Sequence, residues 1–135
     1  MSMENLKNKM IELFQENNIE IKENFEADEI VNYEDGEVIL RFDEFKKIHN
    51  DLNDYEINFV ILGMTLKDED LLNEKINALF AKVQRFSDNL TAESLRTKTG
   101  EAVIGLVHEN SMFKFDADVN VFEISKKLYV CNFEF

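Results

Sequence analysis

Three side chains in this sequence could serve as a base or a soft nucleophile near neutral pH: His49, His108 and Cys131. His49 falls on the apolar stripe of Phe45, Ile48 and Leu52, where a histidine is more often a hydrogen-bonded core residue than a reactive one. His108 closes an apolar run beside Glu109-Asn110 and reads as solvated. Cys131 alternates with Tyr129, Phe133 and Phe135, the pattern of a small buried hydrophobe rather than a thiolate. A small enzyme using His49, His108 or Cys131 is an alternative reading, because a Cys–His pair meets in space and not in sequence. No local signature supports it. No catalytic residue is expected.

The carboxylates offer a second chemistry. Asp116 and Asp118 alternate, which places both on one strand face about 7 Å apart. Two hard ligands are too few for a divalent cation, so a solvated face is expected. The stretch NYEDGEVILRF, residues 32–42, packs three carboxylates round Gly36 like a calcium loop. An EF-hand wants acids at positions 1, 3 and 5 before its glycine and a glutamate six residues after it. Val31, Tyr33 and Asp35 stand before Gly36 and Phe42 after it, so the calcium reading fails. Gly63 has neither a G-x-G-x-x-G nor a P-loop around it, and no phosphate cradle follows. No metal and no cofactor are expected.

What remains is the acidity itself. Acids outnumber Lys and Arg 28 to 15, a formal net charge of −13. Residues 1–67 hold 16 acids and 7 bases, and Glu16 to Glu56 alone hold 14 acids and 4 bases. A field of that sign repels nucleic acid and anionic lipid and speeds encounter with basic partners. Carboxylates fixed in a folded stretch cannot spread apart. Glu20, Glu23, Glu26, Asp28, Glu29, Glu34, Asp35 and Glu37 are therefore the candidate partner-binding residues, forming a patch that docks on a basic protein surface. Strict mimicry of nucleic-acid phosphates would repeat carboxylates along one face, and Glu20, Lys22, Asn24 break that ladder. The bland alternative is that the charge only keeps a small domain soluble.

The elements that must position these groups can be read from periodicity. Residues 3–17 read as a helix, with Met3, Leu6, Met10, Leu13 and Phe14 on one stripe, Ser2 as cap and Asn17-Asn18 as stop. Ile19, Ile21 and Phe25 then alternate as a half-buried strand. Asp35-Gly36 suits a type I′ turn that pairs Tyr33 with Val38 and Val31 with Leu40. Asp43 would cap a short helix carrying Phe45, Ile48, His49 and Leu52. Tyr55–Leu62 is a strand buried on both faces at its end, stopped by Gly63. Thr65 or Asp68 would cap a helix over about 70–86, with Leu72, Ile76, Leu79, Phe80, Val83 and Phe86 inward. Residues 87–100 are expected to be the mobile segment, with one helical turn near Thr91–Arg96. Two hairpins would end the chain, one about Glu109-Asn110 and one about Ser125-Lys126-Lys127. In the last strand, Tyr129, Cys131, Phe133 and Phe135 mark the buried face, and Phe133 is its costliest position.

These elements make one α+β domain over residues 1–135: a mainly antiparallel sheet with amphipathic helices on one face, in the order α-β-β-β-α-β-α-β-β-β-β. A single cysteine excludes an internal disulfide, and with no apolar leader the chain reads as cytoplasmic. No apolar run approaches the ~20 residues of a membrane span. Asn and Lys number 27 against three Arg, the bias of an AT-rich bacterial or viral genome.

An acidic chain that opens with an amphipathic helix and strands and then reads ILGMTLKDEDLLNEKINALF resembles the class I type III secretion chaperones. The resemblance covers about the first 86 residues and departs at the carboxyl end, where strands replace the family's final helix. It implies a small acidic dimer that holds an effector in extended form. The first reading is different: a non-enzymatic acidic protein-binding module, monomer or homodimer, of the inhibitor or immunity type that mobile elements encode. It would bind neither nucleic acid nor membrane.

Overall fold

The computed structural model describes residues 2–23, 35–48, 53–67, 73–99, 102–115 and 118–134. The first helix is where the stripe puts it. In α1 (Met3–Glu16), the Ser2 hydroxyl accepts from the Asn5 amide at 3.1 Å, and Leu6, Met10, Leu13 and Phe14 are buried. Asn17 and Asn18 close the helix on the carbonyls of Phe14 and Gln15, with Asn18 at φ 59°, a conformation asparagine tolerates better than most residues.

Five strands follow in one sheet: β1 (Ile21–Glu23), β2 (Val38–Lys47), β3 (Tyr55–Leu66), β4 (Val103–Phe115) and β5 (Val119–Val130). Their order is β1-β2-β3-β5-β4; β1 lies parallel to β2, and every other pairing is antiparallel. Between β3 and β4 come α2 (Glu74–Asn89) and α3 (Ala92–Thr99). The fold is α+β with a mainly antiparallel sheet. Each expected element that is present stands in its expected place in the order.

All three helices pack on the same face. Leu6, Phe14, Ile76, Val83 and Leu95 share one core with Leu40, Phe59, Ile61, Phe122, Ile124, Leu128 and Val130. Ile39, Val60 and Leu62 form a smaller cluster with Val121 on the reverse face. The run Phe59-Val60-Ile61-Leu62 is thus buried on both sides, as its unbroken apolarity required.

Several local expectations need correction. The short helix from Asp43 is absent; β2 runs through to Lys47 with a bulge between Phe42 and Glu44. The bulge returns Phe45 to the core face three residues after Phe42, a spacing that imitates a helical stripe. His49 and Leu52 lie outside the described residues. Val31 and Tyr33, expected to pair with Leu40 and Val38, lie outside the described residues. Val38 is in register with Ile21 on one side and Gly63 on the other, so both of its edges are taken. Gly36 nonetheless turns the chain, at φ 82°.

Gly63 does not end β3 but sits inside it, under Phe122. A Cβ there would lie 2.3 Å from that ring, so glycine makes room for the core aromatic. The two terminal hairpins are instead two long strands paired with each other. Glu109-Asn110 is absorbed as a bulge, and Ser125-Lys126-Lys127 run straight through β5. Residues 92–99 form α3, with Leu95 fully buried and a reciprocal Thr91–Ser94 cap at 2.9 and 3.1 Å, where a mobile segment was expected. The α2 helix starts after Asn73 rather than at a Thr65 or Asp68 cap: Thr65 is in β3, and Asp68 and Leu72 lie outside the described residues.

Candidate interaction surface

Of the eight carboxylates expected to form a patch, Glu26, Asp28, Glu29 and Glu34 lie outside the described residues. Glu20 is exposed just ahead of β1, Glu23 stands in β1 in register with Leu40, and Asp35 and Glu37 flank Gly36. Asp35 is committed to the fold. One of its oxygens accepts from the Leu66 amide at 2.8 Å and the other from the Lys75 ammonium at 3.1 Å. The Leu66 amide most of all, and Lys75 beside it, hold this carboxyl below the ordinary carboxylate value against an opposing desolvation. Asp35 therefore clasps the end of β3 and the first turn of α2 to the turn that opens β2.

The same matching recurs along the acidic stretch. Asp43 accepts two hydrogen bonds from Arg41, at 2.5 and 3.1 Å. Glu56 meets Lys127 at 3.3 Å and the Tyr129 hydroxyl at 3.2 Å, and Lys127 reaches Glu109 at 3.7 Å. Lys127 keeps the Glu56 carboxyl below its usual value, and Glu56 in turn raises the Lys127 ammonium. A carboxylate with a cation about 3 Å away projects less field than a free one, so Asp35, Asp43 and Glu56 contribute less to a docking field than the sequence count implies.

Cys131 and His108 do not come together. Cys131 follows Val130, which is in register with Val103 at the start of β4, whereas His108 is level with Lys126. Several strand positions, about 15 Å, separate them. His49 and Asp116 lie outside the described residues, and Asp118 is exposed beyond the end of β4. Among the described residues no three His, Cys, Asp or Glu side chains gather as metal ligands. His108 does have polar company: the Ser111 hydroxyl lies 3.4 Å from its Nε2 and 3.5 Å from Gln84 Oε1, and Gln84 Nε2 donates to Asp88 at 2.6 Å. Beside them Lys126 is only 5% exposed, on the helix-covered face. Burial pushes its ammonium below the ordinary lysine value, with Asp88 opposing. His108, Ser111, Gln84 and Asp88 form a solvated rim beside the buried Lys126.

The last strand corrects the expected face. In β5 it is Phe122, Ile124, Leu128 and Val130 that are fully buried, while Tyr129 and Cys131 are half-buried. Phe133 is buried all the same, beyond the end of β5, where its ring meets Phe45 and Tyr55 at 6.2 and 5.8 Å. Both alternating sets are apolar, so period alone could not choose between them.

What sequence reasoning missed is that Ala102–His108 and Met112–Asp116, both expected as strands, join as the one marginal strand β4. It is the terminal strand of the sheet, 13 residues long, and among the described residues no strand pairs with its outer side. Four of the large apolar side chains left in solvent lie on it: Ile104 (55% exposed), Val107 (53%), Met112 (37%) and Phe115 (55%). Phe115 stacks on Phe113 at 6.0 Å, and Phe113 meets Phe80 of α2 at 4.6 Å. The alternation of Phe113 and Phe115 looked like a core face. Position at the margin of a sheet is a property of the whole topology, invisible to a local pattern. A long exposed edge with apolar side chains is a template for another chain.

No helix among the described residues is long and apolar enough to cross a membrane. No family model matches the chain, and no curated protein does. Among solved structures, the chain is similar to a chain of the virion of a native gene transfer agent particle, with a TM-score of 0.58 over 96% of this chain and 93% of that one. At 11% identity the likeness is one of fold.

Proposed function

We propose that the chain is a non-enzymatic protein-binding component of a phage-type particle, and that it engages its neighbour through the margin formed by β4. The observation that carries this reading is the open 13-residue edge with Val107, Met112 and Phe115 in solvent. An edge of that length supplies main-chain hydrogen bonds along about 44 Å and apolar side chains on both faces, the usual means of strand addition. The fold shared with a gene transfer agent virion chain supports the particle setting. Particles purified from the strain that encodes the chain should contain it in fixed proportion, and the double variant Val107→Lys/Met112→Lys should be missing from them. A chain absent from the particles overturns the reading.

A second reading rests on the net charge of −13. Here the carboxylates with no cation assigned, Glu20 foremost, dock on a basic partner surface, as an inhibitor or immunity-type protein would. Such binding weakens as salt rises, whereas strand addition through β4 does not. Capture of a partner at low and raised ionic strength separates the two.

A further inference from the structure

We draw no further inference here: the strongest candidate, the outer edge of β4 with Ile104, Val107, Met112 and Phe115 in solvent, carries nothing beyond the function already proposed, because nothing in the structure shows what covers it.

Discussion

The two margins of the sheet were made in opposite ways. At the β2 start, the turn at Gly36 is fastened from three directions: its amide donates to the Met64 carbonyl at 2.9 Å, Asp35 holds Leu66 and Lys75, and Val38, Ile39 and Leu40 are buried. At β4, the partner strand β5 supplies hydrogen bonds on one side only, and large apolar side chains stay in water. Asp35 at the first margin is tied into the fold, beside little exposed apolar surface, whereas the second margin leaves apolar side chains open to solvent. A net charge therefore does not locate a docking surface. Carboxylates that meet a lysine, an arginine or a backbone amide are part of the scaffold, and the unmet need lies where backbone and side chains both lack partners.

The largest effect is expected where an aromatic ring is covered by the core rather than left open at β4. Truncating Phe133, 2% exposed and packed on Phe45 and Tyr55, should cost ~3–5 kcal/mol in a denaturant melt. Phe115→Ala removes a ring of the same size from the open margin, where it is 55% exposed, and should cost under about 1 kcal/mol. Equal losses at the two positions would erase the distinction.

Next in size is Gly63→Ala. The new methyl meets the fully buried Phe122 ring at 2.3 Å, and overpacking of this kind costs roughly 1–3 kcal/mol. Relief by a smaller residue at 122, in a double-mutant cycle, would confirm that the glycine exists to seat the ring.

These contrasts also show what the sequence could and could not display. The α1 stripe, the Ser2 cap, the doubly buried β3 and the apolar face of α2 were legible because each is decided within a few residues by periodicity. Phe45 misled because a bulge changes a strand's period from two to three for one step. The partners of β2 were not legible, because β1 and β3 reach its two edges through contacts that no local period displays. Glu109-Asn110 and Ser125-Lys126-Lys127 looked like turns because they are polar, and they are strand because each sits in a long ladder. The candidate site followed the same rule. Asp35 was expected as a turn residue and a partner-binding carboxylate; its role as a clasp depends on Leu66 and Lys75, 31 and 40 residues away, which no local pattern displays.

A smaller effect sharpens the account of the acids. The Asp35 carboxyl titrates below its ordinary value in the folded chain. Its contribution to stability is therefore complete above the ordinary carboxylate pKa and is lost as pH falls through the lower, folded value. Because the side chain is 38% exposed, Asp35→Asn should cost no more than about 1 kcal/mol at neutral pH and should flatten part of the acid limb of the stability curve. An unchanged acid limb would mean that Leu66 and Lys75 do not hold the ionised form. The smallest expected change is at Val107→Lys/Met112→Lys, within about 0.5 kcal/mol of the unaltered chain, because neither side chain belongs to the core.

The most direct test sets the margins against each other in one preparation. Particles assembled with the unaltered chain, with Val107→Lys/Met112→Lys, or with Glu20→Lys/Glu37→Lys are compared by quantitative mass spectrometry for copies of the chain per particle. Loss of the β4 variant with retention of the acidic variant is the predicted result. Retention of the β4 variant with loss of the acidic one would contradict the account and place the working surface at the charged margin.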